Sequence, residues 1–162
     1  MVRSEAGVSF EGPGLNYRLT DFQAALGLSQ LPQLAAWIEQ RRALVVSYHE
    51  RLAGLSERCG LGLPPLSEGH SWQTFMVTLP EGVERAQVIH TLRERGVESN
   101  IGAQVLSEQP YVRFYLGSWP LSESRALHHR SLALPLCERY GEVELQRVVS
   151  ALEGALKGAL SF

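Results

Sequence analysis

Asn16-Tyr17-Arg18 sets an amide, a phenol and a guanidinium in a row, immediately before a helical pattern. Asn both donates and accepts, and the planar Arg fork matches a phosphate or a carboxylate. A helix N-terminus directly behind them adds free backbone amides that favour an anion. The bland alternative is a loop whose polar groups satisfy local backbone, and residue chemistry alone leaves the two readings level. The remaining candidates are weaker. Adjacent His128 and His129 point about 100° apart on a helix with no third ligand nearby, so they read as a solvated face and not a metal site. No G-x-S-x-G elbow, Walker lysine or G-x-G-x-x-G occurs. Cys59 and Cys137 fit no C-x-x-C pattern and read as reduced thiols of a cytosolic protein, with one long-range disulfide left open. Lys157 is the only lysine, and it falls in the last turn of a terminal helix, where a lysine usually faces water.

The elements that position these groups follow from spacing. Thr20-Asp21-Phe22-Gln23 has the form of a capping box, opening a helix to about Leu31, and Pro32 starts the next. Leu31, Leu34, Ile38, Arg41, Val45, Tyr48, Leu52 and Leu55 are spaced three and four apart, a narrow seam along roughly 30 Å of helix. After Gly54 a Gly- and Pro-rich loop through Leu66 marks a boundary. His70 to Leu79 alternates as a strand, with Phe75, Val77 and Leu79 on one face and Trp72, Thr74 and Met76 on the other. A helix over Glu84 to Arg95, a short strand over Val97 to Ile101 and a long aromatic loop over Gly102 to Pro120 come next. Ser122 caps a helix to about His129, "LALPL" is extended, and Glu142 to Leu160 forms a last amphipathic helix. The predicted fold is α/β (α+β): an arm over 1–18, a helical segment over 19–55, and a small α/β domain of βαβ type over 66–162.

Composition narrows the function classes. The chain of 162 residues is 44% hydrophobic, enough for a core, and its net charge of −2 argues against wrapping nucleic acid or lying on an anionic membrane. No apolar run reaches the length of a membrane span, and "MVRSEAGVSFEG" lacks the apolar centre of a signal peptide, so the expected location is cytoplasmic.

The block "GLNYRLTDFQAALGLSQL" resembles the signature G-x-N-Y-R-[ML]-T-[DN]-x-Q-A-A-[IL]-G-x-x-Q-L of the DegT/DnrJ/EryC1/StrS aminotransferases, with about a dozen positions matching without a gap. "IEQRRALVVSYHERLAGL" is similar to the family's long linking helix. "GVESNIGAQVLSEQPYVRFYLG" resembles its strand and substrate-facing loop, and "SLALPL…VVSALEGAL" its closing segment. The family comprises pyridoxal-phosphate enzymes of fold type I that aminate keto sugars attached to a nucleotide. The resemblance spans residues 12 to 160 and only the C-terminal part of the family. It implies that Asn16 and Arg18 reach the cofactor phosphate or substrate of the neighbouring subunit in a homodimer, while Tyr17 packs.

The large domain that supplies the Schiff-base lysine has no counterpart among these motifs, and no lysine precedes Asn16. The chain by itself is therefore expected to have no catalytic residue, no transaminase activity and no bound pyridoxal phosphate, since transamination needs that amine. The family's loop pattern L-H-x-Q-P is replaced by Leu106-Ser107-Glu108-Gln109-Pro110. The resemblance makes Ser107 and Gln109 the substrate-facing pair, but Ser107 cannot serve as the near-neutral acid or base that histidine provides. The rival reading is a free-standing module that dimerises through the 31–55 seam or pairs with a separately encoded large domain.

Overall fold

The computed structural model describes residues 2–4, 7–9, 12, 14, 17–117 and 121–160. Two short strands, β1 (Val2–Ser4) and β2 (Gly7–Ser9), pair antiparallel. Helix α1 (Asp21–Gln30) then opens on the expected capping box. The Gln23 amide N–H donates to Thr20 Oγ1 at 3.3 Å, and the Thr20 N–H donates to Gln23 Oε1 at 2.9 Å. These bonds satisfy two of the helix's orphan donors. Pro32 lies in a single 3-10 turn, Leu31–Gln33, that leads into α2 (Leu34–Cys59).

The boundary expected after Gly54 is corrected, because α2 runs on to Cys59. One interior glycine costs about 1 kcal/mol, which is less than burying Leu52 and Leu55 on either side of it returns. The stop is set by Gly60, whose φ of 75° is the left-handed conformation that ends helices. The 31–55 seam divides in two. Val45, Tyr48, Leu52 and Leu55 are buried in the core, whereas Leu31 and Leu34 are exposed.

Strand β3 (Phe75–Thr78) pairs antiparallel with β4 (Ser131–Leu134), placing Phe75 opposite Leu134 and Val77 opposite Leu132. Phe75, Val77 and Leu79 point into the core as the alternation requires. The strand is shorter than His70 to Leu79, and Trp72 departs from its expected face: its φ of 51° turns the indole inward, to 4% exposure. The strand expected over Val97 to Ile101 is reduced to one bridge, Asn100 to Ala133. That bridge is antiparallel to β4, so the segment runs parallel to β3 with β4 between them, a split form of the βαβ unit. Helix α3 (Arg85–Glu94) makes the crossover.

The stretch expected as a plain loop contains a 3-10 turn, Leu106–Glu108, and helix α4 (Pro110–Leu116), which Pro110 starts at a position that needs no N–H. Helix α5 (Ser122–Arg130) has Leu121 at its N-cap and no side-chain cap, so Ser122 is its first helical residue and not the cap. Helix α6 (Glu142–Leu160) buries Leu145, Val148, Leu152, Ala155 and Leu156 against α2 and α3. Three ion pairs join α2 to α6 or the turn before it: Arg41 with Glu138 at 3.4 Å, Arg51 with Glu142, and Arg58 with Glu153 at 2.9 Å. Among the described residues no helix is long and apolar enough to cross a membrane.

Candidate functional site

Arg18 is exposed directly ahead of the capped N-terminus of α1, and Tyr17 beside it is 84% exposed. Asn16 lies outside the described residues. No residue of α1 is buried, so Phe22 (79% exposed), Leu26 and Leu28 face outward together with Leu19, Leu31 and Leu34. A guanidinium therefore stands at the edge of a broad apolar face that the described residues leave uncovered. Such a face marks an interaction surface.

Ser107 and Gln109 sit elsewhere, in the turn before α4. Ser107 is half-buried. Gln109 is 8% exposed, and its side-chain amide donates to the Val105 carbonyl at 3.3 Å, so it also shapes its own turn. Beyond it α4 presents Phe114, Tyr115 and Leu116 outward, with the Tyr111 and Tyr115 rings 4.7 Å apart.

The segment leading into this turn is held by a residue that the sequence reading passed over. Arg85, the first residue of α3, donates from Nη1 to three carbonyls, those of Ile101 (3.4 Å), Ser131 (3.2 Å) and His128. Burial pushes its guanidinium below the ordinary arginine value. The sequence did carry a signal: a cation in the first turn of a helix opposes the macrodipole, so it needs another reason to be there.

A hollow of about 540 Å³ lies between 96–100, 133–137 and the start of α6. It is lined by Glu98, Ser99, Cys137, Tyr140, Glu144 and Arg147 among others, and contains none of Arg18, Ser107 or Gln109. Burial first, then the charges of Cys137, Glu144 and Glu98, push the Tyr140 hydroxyl up. Lys157 lies on the exposed side of α6 with Nζ 3.1 Å from Glu153 Oε1. Of the donors a pyridoxal-phosphate site needs, the described residues offer the Arg18 fork for a phosphate, while the one side-chain amine, Lys157, is engaged by Glu153 on an outer helix face. His128 Nδ1 is 2.7 Å from the Ala103 carbonyl, a local tether.

A model of the DegT/DnrJ/EryC1/StrS aminotransferase family matches residues 2–153. Similar solved structures include TlmJ, an aminotransferase from Streptoalloteichus hindustanus, at 25% identity over 88% of this chain and 37% of that one, with a TM-score of 0.72. NtdA from Bacillus subtilis, solved with bound cofactor PMP, is 29% identical over 89% of this chain and 34% of its own, with a TM-score of 0.75. DesV from S. venezuelae is 27% identical over 85% and 37%, with a TM-score of 0.72. The chain thus spans little more than a third of the length of the structures it matches.

Proposed function

The chain belongs to the DegT/DnrJ/EryC1/StrS aminotransferase family, and from that premise we propose that it forms the interface edge and small domain of a pyridoxal-phosphate-dependent aminotransferase. The reaction is transfer of an amino group, with glutamate as donor, to a nucleotide-linked keto sugar. The observation that carries this reading is Arg18, exposed beside a capped helix on whose apolar face nothing is buried. An arginine fork and free helix amides are suited to a phosphate or carboxylate, and the uncovered face calls for a second body to bring that anion to them.

When bound, the cofactor supplies the electron sink of the reaction. Its Schiff-base amine comes from outside this chain, since Lys157 is turned away on α6. In this reading Asn16 and Arg18 hold the phosphate or substrate anion across a subunit boundary. Ser107 offers a hydrogen bond to the sugar, and Gln109 orders the turn that presents it. The partner is a second subunit or a large cofactor-binding domain.

The 31–55 seam is a poor dimer contact, because its lower half is already spent on the chain's own core. The partner surface is instead α1 with the Leu31 and Leu34 end of the seam. A chimera tests the reading: residues 12–160 replace the matching segment of NtdA, and conversion of bound cofactor by glutamate is followed in the visible spectrum. Conversion that Arg18→Ala slows at least about tenfold supports it. A folded, cofactor-loaded chimera that converts nothing, or that is indifferent to Arg18→Ala, contradicts it.

A further inference from the structure

Residues 101–109 cross the molecule with little regular structure, yet their backbone is tied down at closely spaced points. The Ile101 carbonyl accepts from Arg85 Nη1 and from the Ser131 hydroxyl, the latter at 2.8 Å. The Ala103 carbonyl lies 2.7 Å from His128 Nδ1. A carbonyl only accepts, so that nitrogen carries the proton. Glu108 pairs with Arg125 of α5 at 2.6 Å. Between the first two ties, Gly102 has a φ of 84°, and a Cβ there would come 2.6 Å from Met76 Sδ and 3.1 Å from Ser131 Oγ.

Arg85 is the common element. Its partners belong to three pieces of chain: Ile101 in the loop, His128 in the last turn of α5, and Ser131 at the start of β4. The His128 carbonyl is one of the orphan acceptors at a helix C-terminus, where the macrodipole is negative and a cation is favoured. Among the described residues Arg85 makes no ion pair with a carboxylate. Its protein partners are all carbonyl dipoles among the described residues, and those dipoles are satisfied together only while the three segments converge. A side chain partner could rotate away, whereas a backbone carbonyl moves only if its segment moves.

We infer that Arg85 is the positioning residue for the 101–109 loop, fixing through it the turn of Ser107 and Gln109 and the aromatic face of α4. That the loop faces substrate rests on the function proposed above; that Arg85 fixes it does not. Ser131 and His128 are the auxiliary ties. A residue of this kind acts on substrate recognition without touching substrate.

Limited trypsin digestion of the full chain reads the effect, because cleavage follows the population of locally opened states. The measured quantity is the rate of cleavage after Arg113 in α4 divided by the rate after Arg147 in α6. Arg85→Ala raises that ratio at least about tenfold, since it removes charge-assisted hydrogen bonds from one site. Arg85→Lys, which keeps a charge and three donors, restores the ratio to within about threefold of the parent. Equal acceleration at both sites, or an unchanged ratio, overturns the assignment. Should Arg85→Ala fail to fold, Ser131→Ala removes a single tie to Ile101. It raises the same ratio about threefold, and an unchanged ratio there is equally contrary. None of these outcomes depends on catalysis, so failure of the inference is distinct from failure of the proposed function.

Discussion

Tyr48 is fully buried, stacked on Phe75 with ring centroids 4.8 Å apart, and its hydroxyl donates to the Pro135 carbonyl at 2.7 Å. Burial, and secondarily Tyr140, raise its ionisation well above the ordinary tyrosine value of 10.0. The sign of the linkage follows. The unfolded chain releases this proton from about pH 10, while the folded chain keeps it, so the unfolded state binds fewer protons and stability falls as pH rises. Below pH 10 the contribution is complete. Urea denaturation between pH 9 and about pH 11 should show that loss in the parent and a shallower one in Tyr48→Phe, whose cost of about 1 kcal/mol at neutral pH is that of one buried hydrogen bond. At Gly102 the backbone itself is the constraint. Met76 can swing aside, but the φ of 84° cannot be kept cheaply by a residue with a side chain. Gly102→Ala should lose about 1–2 kcal/mol, read as a lower urea midpoint at unchanged slope.

Helix α1 differs from every longer helix in having no buried residue, although its capping box is complete. Its formation is a local matter, and the described residues leave its apolar face uncovered. Phe22→Glu combined with Leu34→Glu should therefore leave the unfolding midpoint within about 0.5 kcal/mol of the parent. Light scattering should show self-association or aggregation reduced. A large loss of stability would mean that the face packs within the chain. The elements legible in the sequence are those written in short-range signals: the cap of α1, the inward face of β3, and the amphipathic period that bounds α6 at Glu142 and Leu160. What escaped depends on distant partners. Trp72 turns inward because a left-handed residue breaks the strand alternation, and 97–101 pairs with β4 through a single bridge, Asn100 to Ala133. Helix α4 was hidden by its glycine and proline flanks.

Across the whole molecule the candidate site is divided. Arg18 stands at one edge, Ser107 and Gln109 in the turn before α4, and Lys157 on the outer side of α6. The N-Y-R run stood out as an amide, a phenol and a guanidinium before a capped helix, but residue chemistry alone left an anion site and a self-satisfied loop level. The proposed meeting with an anion was not legible there, because half of the proposed site comes from a second body. The carbonyl clamp of Arg85 was equally invisible: its acceptors are backbone, and no residue type announces them. As proposed, this chain provides the rim of a pyridoxal-phosphate site and not its amine. The most direct measurement is a pyridoxal-phosphate titration of the purified chain, followed by borohydride reduction and peptide mapping, with Lys157→Ala alongside. No saturable visible band is expected, and reduced adduct only at Lys157, absent from Lys157→Ala. Tight, saturable binding that is lost in Asn16→Ala or Arg18→Ala would contradict it, and would show that the chain builds a cofactor site of its own.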